Sequence, residues 1–184
     1  MGLEKTMSLV EIEIGRHRWA DMRPLPWAGS VAEDLPPLLL GLARATTQEE
    51  VDACDPSRFL FNDAFLQDTA VAAVPVLLAA LADGVSLPAR ERILSLLRFI
   101  TAAEGNAAPL GTGGPDLVEQ AHVLMREGLW LLCSEVLHAP PWPAAHDAFE
   151  VIAVLHEEGD EWVELLQRVV EERYTDGPQG QGEA

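Results

Sequence analysis

Cysteine and basic residues are both scarce in this chain, and their scarcity excludes several classes of protein. The two cysteines among 184 residues, Cys54 and Cys133, share no short spacing, so they indicate neither a zinc motif nor a disulfide framework. Twelve lysines and arginines stand against 30 acidic residues, which leaves a formal net charge of −18. Such a chain repels phosphate backbones, so a nucleic-acid partner is disfavoured unless the basic residues gather on one face.

Long apolar runs are also missing. The longest, at 70–82, is too short to span a bilayer and contains Pro75. The first fifteen residues lack the uninterrupted apolar stretch of a signal peptide. We therefore expect no membrane partner and a cytoplasmic protein, in a compartment that keeps both cysteines reduced.

What the chain has in quantity is leucine and alanine with helical spacing. Hydrophobic residues make up 48% of a length that suits one domain, and few of them are aromatic. Residues 69–103 contain two helix-length apolar patterns around a short turn that includes Gly84 and Pro88. Glycine suits the end of a helix and proline its first turn, so this stretch predicts a helical hairpin.

The first half of this hairpin has a near copy earlier in the chain. The segment DLPPLLLGLA at 34–43 aligns with AVPVLLAALA at 73–82, which places Pro36 opposite Pro75 at an offset of 39 residues. That offset approaches the repeat length of HEAT-type helix pairs. We predict that both prolines begin equivalent helices lying side by side. The predicted fold is an all-α, HEAT-like α-solenoid of about three antiparallel helix pairs with a C-terminal capping helix.

The predicted organisation has three parts. Residues 1–30 form an N-terminal arm and connector, 31–174 the helical domain, and 175–184 a disordered tail. Alternating residues at 8–14 predict a short strand or an extended arm. One helix should run from about 115 to 138 with Trp130 in the core. The capping helix, at about 161–174, should direct its apolar residues inward: Trp162, Leu165, Leu166, Val169 and Val170.

Three segments carry a resemblance to a known family. They are 19–26, the acidic-apolar-Pro helix start at 33–36, and 65–81, where Gln67, Asp68 and Thr69 precede an Ala-Val-Pro helix start and a leucine-rich run. In these segments the chain resembles bacterial HEAT-repeat-like proteins common in actinobacteria. The resemblance covers residues 19–100 and implies a protein-binding scaffold, since some of these proteins resemble immunity or regulatory partners.

No pattern for metal, cofactor or catalysis stands out. None of the five histidines lies three or four residues from another histidine or a cysteine. The glycine-rich loop at 105–115 lacks the Gly-Lys-Ser/Thr of a phosphate loop, and neither a nucleophile elbow nor a dinucleotide fingerprint occurs. We therefore predict no cofactor, no metal and no catalytic residue.

The strongest candidate for a binding site is acidic. Residues 150–184 hold ten acidic residues and two basic ones. Their densest part predicts a docking surface for a basic protein, with a tryptophan as a further contact: Glu157, Glu158, Asp160, Glu161, Glu164 and Trp142. The alternative is a solvated surface that only keeps the protein soluble.

Three functions follow from these observations. The first is non-enzymatic protein binding, for example as an immunity-type or regulatory partner that masks a basic protein. The second is an enzyme or small-molecule-binding domain with a pocket between the last three predicted helices, lined by His122, His146 or His156 with facing carboxylates. The third, nucleic-acid binding, needs a positive face that 12 basic residues can hardly build. The sequence leaves the oligomeric state open.

Overall fold

The computed structural model describes residues 7–22, 31–106, 116–138, 142–156 and 160–175. Most of these residues are helical, so the prediction of an all-α fold is confirmed for the described part. The helices are α1 (Leu9–Arg16), α2 (Leu35–Arg44), α3 (Gln48–Ala53), α4 (Ser57–Leu60), α5 (Asp68–Asp83), α6 (Leu87–Thr101), α7 (Leu117–Glu127), α8 (Leu129–His138), α9 (Trp142–Leu155) and α10 (Glu161–Thr175). The tail beyond Thr175 and most of the glycine-rich loop lie outside the described residues.

Three strands of two residues each form a small sheet. β2 (Phe65–Leu66) lies between β1 (Phe61–Asn62), which is antiparallel to it, and β3 (Gly105–Asn106), which is parallel. In the sequence, Thr47 and Glu50 have the spacing of a capping box, which predicts the start of a helix that is interrupted at Asp55-Pro56 and continues through Phe65. The interruption is confirmed, but the helix ends at Leu60. Asp63 turns the chain with a φ of 54°, so Phe65 lies in a strand instead.

Helix α5 is the centre of the fold. Eleven of its 16 residues are buried, and it contacts α1, α2, α4, α6, α7 and α8. A helix that is apolar on all sides needs neighbours on all sides, and this one has them. The predicted hairpin is confirmed, because α5 ends at Gly84, with a φ of 80°, and α6 begins three residues later.

The prediction that Pro75 begins a helix is wrong. Pro36 does lie in the first turn of α2, but Pro75 lies inside α5. Two hydrogen bonds fix the earlier start of α5. The side chain of Gln67 donates to the Phe61 carbonyl over 2.8 Å, and the hydroxyl of Thr69 donates to the Phe59 carbonyl. The helix therefore tolerates an internal proline because burial on every side outweighs the one backbone bond that is lost.

Residues Leu9–Arg16 of the N-terminal arm form a helix, and the predicted strand or extended conformation at 8–14 is wrong. Ser8 and Glu11 form a capping box, with Glu11 N–H to Ser8 Oγ at 3.2 Å and Ser8 N–H to Glu11 Oε2 at 3.0 Å. Val10 is buried, and α1 packs on α5. The indole of Trp19 donates to the Ile14 carbonyl over 2.9 Å and closes the end of this helix.

A serine joins α2 to the α5–α6 turn. Ser86 Oγ donates to the Ala45 carbonyl, just past the end of α2, over 2.6 Å. The same oxygen accepts the N–H of Ala89 at 3.4 Å and so caps α6. One hydroxyl thus satisfies backbone groups at the end of one helix and the start of another.

The prediction of a single helix at 115–138 is also wrong, because the helix is interrupted at Gly128, which separates α7 from α8. The backbone of Gly128 lies against α5, where an added Cβ would come within 2.8 Å of Leu78 Cδ1. Trp130, the second residue of α8, is predicted in the core but is 70% exposed.

Two ion pairs tie α6 to the helices that follow. Arg90 Nε lies 3.6 Å from Glu135 Oε2 on α8, and Arg98 Nε lies 2.8 Å from Asp147 Oδ1 on α9. Burial raises the pKa of Glu135 above its ordinary value, and the charges of Arg90 and His138 offset only part of that increase. Burial likewise raises the pKa of Asp147, against the opposing charges of Arg98 and His146.

Replacing Gly128 with alanine should destabilise the fold. The backbone of Gly128 has a negative φ that alanine adopts readily, so the contact with Leu78 alone determines the cost, about 1–3 kcal/mol. Urea unfolding measures it. Gly15→Ala, on α1 with open space around the added methyl, is the control and should be neutral or stabilising by up to about 1 kcal/mol. Equal effects of the two substitutions would contradict the close approach, as would an additive Gly128→Ala/Leu78→Ala double mutant.

The raised pKa of Glu135 predicts a pH trend. The folded protein holds this proton more tightly than the unfolded chain, so the contribution of Glu135 to stability falls as pH rises through its folded pKa. Glu135→Gln should therefore gain stability relative to wild type as pH rises above about 4.5, the ordinary pKa of a glutamate, in urea unfolding at a series of pH values. Glu119→Gln, at an exposed carboxylate, is the control. A gap between Glu135→Gln and wild type that stays constant or narrows with pH contradicts the prediction.

Candidate binding site at the start of the last helix

The structure brings together part of the predicted acidic set. Asp160 lies just before α10, and its carbonyl accepts the N–H groups of Val163 at 2.9 Å and Glu164 at 3.2 Å. Glu161 and Glu164 are exposed in the first turn. Glu157 and Glu158 lie outside the described residues.

Trp142 is the first residue of α9, and its side chain is not among those described. The site lies beyond the last residue of the same helix, Leu155. At 1.5 Å per residue, a helix of 14 residues separates its two ends by about 20 Å. The structure therefore does not bring Trp142 to the acidic residues.

The apolar residues of α10 do not all face inward as predicted. Leu166 and Val170 are buried, but Trp162 is 36% exposed and Leu165 is 54% exposed. Among the described residues, helix α10 packs mainly on α9 and α8. Part of its apolar side stays at the surface.

These exposed groups form one surface. Residues three and four apart on a helix are neighbours, so Trp162 lies next to Leu165, and Glu161 next to Glu164 and Leu165. We call Asp160, Glu161, Trp162, Glu164 and Leu165 the acidic–apolar surface. It combines the aromatic and aliphatic groups that anchor protein interfaces with carboxylates that attract a basic partner.

His156 connects the end of α9 to this surface. Its Nδ1 lies 3.3 Å from Asp160 Oδ2, and its ring meets the ring of Trp162 edge-on, with centroids 4.5 Å apart. The imidazole therefore holds the indole and the carboxylate in place. Its Nε2 is buried and has no hydrogen-bond partner among the described residues.

A cleft of about 410 Å³ adjoins the surface. It is lined by residues of α7, the end of α9 and the segment before α10: Arg126, Val154, Leu155, His156 and Asp160. These are the elements between which the alternative function predicted a pocket.

The other two histidines predicted for such a pocket lie elsewhere. His122 Nε2 is 3.1 Å from the Thr101 carbonyl, and His146 lies beside Asp147 and Glu150. Only His156, of the three, lines the cleft.

Sequence reasoning missed Arg126. Its Nε donates to the Leu155 carbonyl over 3.4 Å and caps the end of α9. Its Nη1 lies 3.5 Å from Glu119 Oε1. No local pattern predicts this contact, because 29 residues separate Arg126 from Leu155.

Two kinds of feature are absent from the described residues, a metal site and a membrane-spanning helix. Within them, no cluster of three or more His, Cys, Asp or Glu side chains has the arrangement of a metal site. None of the helices in the same ranges has the length and apolar character needed to cross a membrane.

Comparisons of the chain with protein-family models, with curated proteins and with solved structures gave no match.

Proposed function

We propose that this protein acts without catalysis, by binding a basic protein at the acidic–apolar surface. The observation that carries the proposal is the exposure of Trp162 and Leu165 beside the carboxylates of Glu161 and Glu164. Large apolar groups placed among charges of one sign are costly to leave in water, and a partner with a complementary surface would cover them.

The distribution of arginine supports a protein partner over a nucleic acid. Six arginines in the described residues are ion-paired within the chain: Arg16, Arg44, Arg90, Arg92, Arg98 and Arg126. These pairs reduce the positive charge that the described residues can offer to phosphates, in a chain of net charge −18.

The proposal extends to a biological role and to an arrangement of the helices. The resemblance to HEAT-repeat-like proteins supports an immunity-type or regulatory role in which this chain masks a basic protein. The α5–α6 hairpin and the extensive packing of α8 on α9 support helix pairs of a HEAT-like α-solenoid. The contacts of α5 on all sides weigh towards a bundle around one central helix.

Small-molecule binding is the second candidate function. It is favoured by one observation, the cleft between α7, α9 and α10 with His156 and Asp160 in its lining. His156 and Asp160 provide polar groups that could orient a bound molecule, and binding alone requires no catalysis.

Affinity capture with matched variants tests the protein-binding proposal. Immobilised wild-type protein should retain a basic protein at low salt, and the amount retained should fall as salt rises. Trp162→Ala should weaken binding of that protein at least about 30-fold, the loss typical of an interface hot spot. Trp130→Ala, at another exposed tryptophan on α8, is the control and should bind like wild type.

Titration calorimetry with the purified partner then measures each affinity. Equal binding by Trp162→Ala and Trp130→Ala, or binding that salt does not change, would contradict the proposal. A partner without net positive charge would contradict the electrostatic part of it.

A further inference from the structure

We propose that the cleft between α7, α9 and α10 is a binding site for a small monocarboxylic acid with an apolar body. The inference rests on the second candidate function and is independent of protein binding at the acidic–apolar surface. It follows from the lining of the cleft, its size and its charges.

Arg126 provides the group that would recognise a carboxylate. A guanidinium has five N–H donors, and the described contacts of Arg126 are long, at 3.4 Å to the Leu155 carbonyl and 3.5 Å to Glu119. Its side chain is 43% exposed. Donors therefore remain for the two parallel bonds that arginine makes with a carboxylate.

The bond from Arg126 to Leu155 also positions the guanidinium. It anchors the Nε edge of the group at the end of α9, which itself forms a wall of the cleft. An anchored arginine loses less side-chain entropy when it binds a ligand than a free one does.

The charges of the cleft limit the ligand to one negative charge. Arg126 is the cation of the lining, while Asp160 is an anion paired with His156. The chain as a whole carries −18 and would repel a nucleotide or another multiply charged anion. A monocarboxylate adds the least negative charge of the anions that Arg126 could pair with, and it would compete with the long contact to Glu119.

The remaining walls and the volume define the body of the ligand. Val154 is 49% exposed and provides apolar surface beside Leu155. A cleft of about 410 Å³ lies within the range that accommodates small organic molecules. The acid should therefore carry a branched aliphatic or single-ring aromatic group.

Nuclear magnetic resonance titration of the full chain tests the inference. The probes are isocaproate and 3-phenylpropionate, each with its uncharged amide as matched control. At least one acid should bind at millimolar concentration or below, shifting the Arg126 Nε–H signal and the Val154 methyl signals. Its amide should bind at least about 10-fold more weakly, because it cannot form the charge-assisted pair.

Variants locate the site. Arg126→Gln should remove the preference for acid over amide, and Arg168→Gln, at an exposed arginine of α10 outside the cleft lining, should keep it. Val154→Trp should block binding of the acid and of its amide by filling the cleft. Because it leaves the Arg126 side chain in place, it also tests the site if Arg126→Gln fails to fold.

The proposal is overturned if no acid shifts these signals, if acid and amide bind alike, or if Val154→Trp binds the acid like wild type. Each of these results leaves the capture of a basic protein at Trp162 unaffected, so the two proposals fail separately. Loss of protein capture with intact acid binding would in turn reject only the proposed function.

Discussion

The close approach of other helices to α5 is the constraint on which the rest of the fold depends. A helix surrounded on all sides can be packed tightly only if small residues lie at the contacts. Helix α5 provides buried alanines for this purpose, among them Ala70, Ala73 and Ala80. Gly128 meets the same need from outside, because Leu78 occupies the space that any side chain at 128 would take.

This constraint extends to the candidate site. The break at Gly128 ends α7 one residue after Arg126, and α8 begins at Leu129. Arg126 then reaches the Leu155 carbonyl at the end of α9, where the cleft lies. Helix α10 packs mainly on α9 and α8, and its residues Trp162 and Leu165 remain at the surface.

Local patterns predicted the elements whose causes are local. The α5–α6 hairpin followed from helical spacing around Gly84, and the start of α3 followed from the Thr47–Glu50 capping box. The errors have tertiary causes. A proline is normally read as a helix start, but Pro75 lies inside a helix that hydrogen bonds begin earlier. Alternation at 8–14 indicated a strand, whereas the cap at Ser8 and the surface of α5 favour a helix.

The candidate site was predictable in composition and not in assembly. The run of acidic residues was visible in the sequence, and so was the presence of a histidine near it. Which apolar residues of α10 would stay exposed depends on how many neighbours that helix has, and the contribution of Arg126 depends on the break at Gly128. Both are properties of the packed structure.

The hydroxyl of Ser86 connects the end of α2 to the start of α6, and its chemistry limits which residues can replace it. A hydroxyl carries one proton and two lone pairs, so it can give to the Ala45 carbonyl and receive from the Ala89 N–H at once. An aspartate could receive but not give, and an alanine could do neither. With a methyl group in place of the hydroxymethyl, the end of α2 and the start of α6 would lose their shared hydrogen-bond partner, and only the packing of α2 against α5 and α6 would hold them together.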